Sequence, residues 1–160
     1  MYKKIMVPLD GSELAECVLP HVRAFVNAFG INDVLLVRVI EPVKPDLRVY
    51  DNIFDEEFIQ QAQKIWRDVE KQERTSAKAY LDQVSDRIKQ KGSTVHSEVL
   101  VGDVAKSLAD YTEANDIDLI IMATHGHSGI TRWVMGSMAD KLFRSASVPV
   151  FMVRATEVKG

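Results

Sequence analysis

Five short apolar runs punctuate the chain: Lys4–Leu9, Val34–Ile40, Thr94–Val101, Leu119–Ala123 and Val148–Val153. Four are near-continuous in Val, Ile, Leu or Met, the pattern of strands buried on both faces of a parallel sheet. The run 94–101 alternates instead, with Val95, Ser97 and Val99 on one face, which places it nearer a sheet edge. Helical periodicity fills the gaps. Leu14, Val18, Val22, Phe25 and Val26 share one face of a segment from about Glu13 to Ala28, with Gly30 as its stop. A longer stripe follows: Phe58, Ala62, Ile65, Trp66, Val69, Ala77, Tyr80, Leu81, Val84 and Ile88 recur at three- and four-residue steps. Two shorter helices are expected at about Val104–Ala114 and Ser137–Ser145.

Strands alternating with helices predict an α/β fold, an open five-stranded parallel sheet with right-handed crossovers and helices on both faces. The 160 residues suggest one domain, 1–160. Two segments resist the pattern. Glu41–Asp55, with Pro42 and Pro45, is a long irregular loop, the kind of segment that carries function or moves. The long second helix, Asp55–Lys91, would run about 55 Å at 1.5 Å per residue, against about 23 Å for a seven-residue strand. It must bend, break or project past the sheet. The polar stretch Glu70–Ser76, where the apolar stripe thins, is the expected place for an irregularity.

Composition narrows the function classes. A net charge of −3, with basic residues scattered, argues against nucleic acid and against an anionic membrane surface. No stretch approaches the ~20 apolar residues of a spanning helix, and the apolar run after Lys4 is too short for a signal peptide. A cytoplasmic location is therefore expected. The single cysteine, Cys17, excludes a disulfide scaffold and reads as a half-buried apolar residue. His21 and His96 have no evident partners.

In open parallel sheets, ligands bind beyond the carboxyl ends of the strands, where chain order reverses. Two strand ends carry suggestive residues: Val7-Pro8-Leu9-Asp10-Gly11-Ser12, and Met122-Ala123-Thr124-His125-Gly126-His127-Ser128-Gly129. After the second of these, Gly126 is followed by nine residues and then Gly136-Ser137 at a helix start. Glycine lets backbone N–H groups approach an anion, and a helix N-terminus adds unpaired N–H groups and a partial positive charge. This is an anion cradle without a lysine. Ser137 with Asp140 is also an ordinary capping box, and Asp10 with Glu13 an ordinary helix start. The histidines of His125-x-His127 lack further ligands for a dedicated metal site. Arg132, inside the loop, reads as a phosphate contact or a solvated arginine, and Trp133 as a packing residue.

The whole chain resembles the universal stress protein family. The opening Ile5–Ser12, the segment Asp118–Gly129, the pair Gly136-Ser137 and the closing Val148–Val153 carry the likeness, in order. The family's nucleotide-binding branch is marked by Gly, two residues, Gly, nine residues, Gly and then Ser or Thr. Here Gly126, Gly136 and Ser137 fit, and Ala123 departs from the pattern by one methyl group. The resemblance implies a Rossmann-like fold of the adenine nucleotide alpha hydrolase type and an adenine nucleotide, ATP or AMP, with any Mg²⁺ carried on its phosphates near Asp10. It implies Pro8 and Leu9 lining the adenine pocket, and Val39 offering backbone groups to the base edge. Met122 and Met138 would flank base and sugar, although both also read as core. Gly126, His127, Gly129, Gly136 and Ser137 would surround the phosphates.

No Walker lysine, Ser-His-Asp order or paired-carboxylate site is present, so no catalytic residue is assigned. A binding role with at most slow ATP hydrolysis is expected. The alternative is a nucleotide-free dimeric interaction module of the same fold, tipped there by Ala123. The resemblance also implies a homodimer through the strand Val148–Val153, whose edge would otherwise expose unpaired backbone groups.

Overall fold

In the computed structural model, which describes residues 2–42, 56–89, 92–124 and 136–155, strands and helices alternate along the chain. They are β1 (Lys4–Pro8), α1 (Leu19–Phe29), β2 (Asp33–Ile40), α2 (Glu56–Ile88), β3 (Thr94–Val101), α3 (Val104–Ala114), β4 (Leu119–Ala123), α4 (Ser137–Ser145) and β5 (Val150–Val153). A short 3₁₀ helix, Ala15–Val18, leads into α1. Gly30 ends α1 in the left-handed region, at φ 63°, with its N–H on the Val26 carbonyl. Asp103 starts α3 by accepting the Lys106 backbone N–H at 2.9 Å.

The strands form one sheet in the order β3-β2-β1-β4-β5, and every pairing is parallel. Alternation along each strand sends successive side chains to opposite faces. Ile5, Val7, Val34, Leu36 and Ile121 join a core under α1 and α2, while Met6, Leu35, Val37, Ile120 and Met122 join a second core under α3 and α4. This doubly wound, Rossmann-like arrangement matches the sequence expectation, including the edge position of the alternating strand β3. The last strand begins two residues later than expected, since pairing with β4 starts at Val150.

One expectation fails. Helix α2 runs through 70–76 with no interruption, for 33 residues. Only its C-terminal half meets the sheet, through buried Ala77, Leu81, Val84, Ser85 and Ile88. Burying each large aliphatic side chain is worth about 1.5–3 kcal/mol, which anchors that half. The length mismatch is resolved by projection: the N-terminal half extends beyond the strands, and its polar stretch is solvated rather than broken. Most of the irregular loop, 43–55, lies outside the described residues.

Two polar networks tie the layers together. At the amino end of the sheet, Asp118 Oδ2 accepts the backbone N–H groups of Lys3 at 2.8 Å and Lys4 at 2.9 Å. The two donors hold the Asp118 carboxyl below its usual range. On the α1/α2 face, Glu16 accepts the Tyr80 hydroxyl at 3.1 Å and Arg87 at 2.7 Å. Burial first, and then Glu16, push the Tyr80 phenol far above its usual range, so it stays a donor. Burial likewise raises half-buried Cys17, which keeps it a thiol. His21 and His96 do have neighbours: His21 lies 5.8 Å from the Phe151 ring and His96 3.6 Å from Asp33.

Asp118→Ala is expected to cost about 1–3 kcal/mol at pH 7, the value of hydrogen bonds to a charged acceptor. Because the folded carboxyl titrates below its unfolded value of about 3.9, this stabilisation is full above pH 4 and fades as the pH falls through the lower folded value. Urea unfolding of both proteins at pH 7 and pH 3 checks this, and the gap should narrow at the lower pH.

Candidate functional site

The strand order reverses between β1 and β4. The connection leaving β1 goes to one face of the sheet, and the connections serving β4 belong to the other. A crevice must open between them at the carboxyl ends of the strands. A cavity of about 300 Å³ lies there, lined by Pro8, Leu9 and Asp10 from the end of β1, Val37 and Val39 from β2, and Met122, Ala123 and Thr124 from the end of β4. Val104 and Leu108 of α3 wall one side, and Gly136, Ser137, Met138 and Ala139 close it with the first turn of α4.

The first loop is built by its own polar groups. Asp10 Oδ1 accepts the Ser12 N–H at 2.9 Å and the Ser12 hydroxyl at 2.6 Å, and Ser12 Oγ in turn accepts the Ala15 N–H at 3.1 Å. Ser12, rather than Glu13, therefore completes the helix start expected from Asp10. Gly11 has φ +88°, and a Cβ there would sit 2.9 Å from Arg38 Nη1. Arg38 itself lies over the Tyr80 ring at 5.7 Å. The loop carrying exposed Asp10 is thus supported from the α1/α2 face.

The second wall is a backbone contact. Gly136 N–H donates to the Thr124 carbonyl at 3.1 Å, and Thr124 N–H to the Val153 carbonyl at 2.9 Å. These bonds fasten the start of α4 to the end of β4. A Cβ on Gly136 would lie 3.2 Å from the Thr124 oxygen, so glycine permits the close approach. Gly136 is the N-cap, and among the described residues no side chain caps the first amides of α4. Those amides carry the partial positive charge of the helix start. Asp140 pairs with Arg144 at 3.0 Å, in line with the helix.

Pro8, Leu9, Asp10, Val39, Met122, Ala123, Gly136, Ser137 and Met138, all named from the sequence, meet at this one cavity. Gly126, His127 and Gly129, with His125, Arg132 and Trp133, lie outside the described residues. Ala123 and Met122 both line the cavity; by strand alternation Ala123 belongs to the core cluster under α1 and α2, with Leu9 and Ala15, and Met122 to the cluster under α3 and α4. Among the described non-glycine residues only Asp116 has positive φ, so the Ala123 backbone is ordinary. Ala15, Val37, Val104, Leu108 and Ala139 also line it and were missed, because apolar positions at core spacing carry no sign of facing a void; Thr124, quoted with the segment after β4, joins them. Among the described residues no three His, Cys, Asp or Glu cluster as a metal site, and no helix is long and apolar enough to cross a membrane.

Comparison with known proteins agrees with this geometry. The model of the universal stress protein family matches residues 1–154. The universal stress protein MJ0577 of Methanocaldococcus jannaschii is 26% identical over 156 residues, 96% of this chain and 96% of that protein. Its solved structure superposes with a TM-score of 0.79 at 25% identity, covering 98% of this chain and 99% of that one. A universal stress protein solved in complex with cAMP shares the fold with a TM-score of 0.63 at 18% identity, over 97% and 98% of the two chains. So does the Archaeoglobus fulgidus universal stress protein in complex with dAMP, with a TM-score of 0.57 at 19% identity over 94% and 97%.

Gly136→Ala is expected to push α4 from β4 by a few tenths of an ångström and to cost about 1 kcal/mol. Thermal unfolding should read this as a Tm drop of about 2–4 °C.

Proposed function

The chain belongs to the universal stress protein family, and from that premise we propose that it binds an adenine nucleotide in the cavity between the ends of β1 and β4. The observation that carries this reading is the division of the cavity into two chemistries. Pro8, Leu9, Val37, Val39, Leu108 and Met122 give an apolar slot, and Gly136-Ser137 gives a helix start whose cap residue is a glycine. A purine is flat and largely apolar on its faces, which suits the slot. Phosphates are anions and suit the helix start. At about 300 Å³ the cavity is at the small end of ligand sites. That suits a base and sugar, with the phosphates running out toward the first turn of α4.

The family relatives solved with cAMP and dAMP support the adenine assignment. Val39 offers backbone groups to the base edge, Asp10 faces the sugar or a phosphate-bound Mg²⁺, and Gly126, His127, Gly129, Gly136 and Ser137 surround the phosphates. Asp10 is one carboxylate at the cavity rim, so Mg²⁺ would be held chiefly by phosphate oxygens. The same sparse donor set favours binding over turnover, with ATP hydrolysis slow at most. Bound nucleotide then acts as a state marker, favouring whichever conformation or partner binds better with it. The alternative reading, a nucleotide-free dimeric module, rests on Ala123, which lines the cavity where the family's binding branch has glycine.

The reading extends to a cytoplasmic homodimer through the C-terminal strand. Among the described residues β5 is an edge strand paired with β4 alone, and Phe151 on it is 36% exposed. Phe25 lies 5.0 Å from the Phe151 ring, so the edge continues into an aromatic surface of α1.

Purified protein, heated and extracted, is expected to release an adenine nucleotide detectable by chromatography. Added MgATP or AMP should raise Tm, by about 2.7 kcal/mol of stability at a hundred times Kd, and Val39→Trp, which fills the slot, should abolish the rise. An empty extract together with no shift at millimolar nucleotide overturns the reading. Light scattering at micromolar concentration should give a dimer, and Phe151→Asp a monomer.

A further inference from the structure

β3 forms one edge of the sheet, and among the described residues it pairs with β2 alone. The Thr94 N–H donates to the Asn32 carbonyl at 2.7 Å and the Gly102 N–H to the Ile40 carbonyl at 2.9 Å, so the even-numbered residues give their backbone groups to β2. Val95, Ser97 and Val99 therefore aim theirs outward from the sheet. Edge strands are commonly blunted by lysine, proline, a bulge or brevity. β3 contains neither lysine nor proline, and its eight residues stay in unbroken register with β2. Val95 and Val99 belong to the core under α2. On the opposite face Thr94, His96 and Glu98 are exposed, and His96 Nε2 lies 3.6 Å from Asp33 Oδ1. A basic and an acidic side chain thus stand two residues apart on one exposed face of an edge.

We propose that this edge is a docking surface for a second copy of this chain, through antiparallel pairing of the two β3 strands about a two-fold axis at Ser97. The pattern is self-complementary in that register. Val95, Ser97 and Val99 exchange N–H and carbonyl bonds with the second copy's Val99, Ser97 and Val95. His96 faces the second copy's Glu98 in the closer, non-hydrogen-bonded pairs, and by symmetry Glu98 faces its His96. Thr94 faces the second copy's Leu100. Moving the axis by one residue destroys the match. An axis at His96 sets imidazole against imidazole, and one at Glu98 sets carboxylate against carboxylate. Charge therefore selects the register, and the strand is its own complement.

The helices on this side fit the pairing. The C-terminal half of α2 sits over β2 and β3. Paired strands lie about 4.8 Å apart, so the α2 helices of the two copies come about 10 Å apart, the distance of packed helices. Asp82, beside Ser97, marks the flank of α2 that turns to the second copy, and its ion pair with Lys78 leaves that flank without net charge. One strand pair with a helix flank is an interface at the small, transient end of the range, so association is expected only at high micromolar concentration. This contact is separate from the β5 contact proposed above, and it does not rest on nucleotide binding. Joined at both edges, copies would continue one sheet into an open array.

Disulfide trapping tests both the occupant and the register. In a Cys17→Ser background, Thr94→Cys and Leu100→Cys proteins are oxidised separately and as an equimolar mixture. Residues directly opposite in a non-hydrogen-bonded pair have Cα atoms about 4.5 Å apart, within reach of a disulfide. Each position lies about 20 Å from its own copy. A covalent dimer is therefore expected in the mixture, with little in either protein alone. Dimers from either protein alone would mean a different register and overturn the proposal, and no dimer in any sample would overturn it too. A second measurement needs no cysteine. Sedimentation velocity of the Phe151→Asp protein, in which the β5 contact is removed, should show the monomer doubling in mass at high concentration. Adding Glu98→Lys, which sets lysine against His96, should weaken this association about tenfold. Combining His96→Glu with Glu98→Lys restores opposite charges and should bring the association back. Association unchanged by Glu98→Lys, or not recovered in the combined variant, overturns the proposal. Circular dichroism confirms that these exposed substitutions leave the fold intact.

Discussion

Hydrogen bonding between β1 and β4 joins segments more than a hundred residues apart, and the cavity follows from it. Ile5 pairs with Leu119 and Met6 with Ile120. Asp118 reinforces the junction by taking the Lys3 and Lys4 amides, while its own N–H donates to the Lys4 carbonyl at 2.9 Å. Two parallel strands held side by side, with connections leaving to opposite faces, cannot close the space beyond their carboxyl ends. The void is thus a topological consequence, and the side chains around it decide only what the void accepts.

What it accepts is set by two close approaches. Gly136 lets α4 begin against the Thr124 carbonyl, and Gly11 lets the β1 loop turn over Arg38. Behind the β1 loop, Arg38 rests over Tyr80, and Tyr80 reaches Glu16, which also holds Arg87. The β1 loop at the cavity rim is therefore supported from the α1/α2 face of the sheet. The C-terminal half of α2 belongs to that support.

Strand and helix positions were legible because hydrophobic periodicity is a local property. The bounds expected for β3, α3, β4 and α4 agree with those observed, since each run is flanked by residues that end it. The continuity of α2 was not legible. A polar stretch such as Glu70–Ser76 reads alike whether a helix breaks or merely leaves the protein surface, and only the distance to the sheet tells them apart. That Val37, Leu108 and Ala139 line a cavity was not legible either, because a side chain facing a cavity and one facing a neighbour look the same in one dimension.

The amino-acid sequence by itself determined the alternation of strands and helices, the edge character of β3, and the glycines and Asp10 at the strand ends. Tertiary structure alone decided that Pro8, Val39, Met122, Ala123 and Met138 converge on one cavity. It alone decided, too, that α2 is continuous through its polar stretch. The physical reason is range: propensity and periodicity act over a turn or a pleat, whereas convergence, burial and exposure depend on which distant segments the sheet brings together.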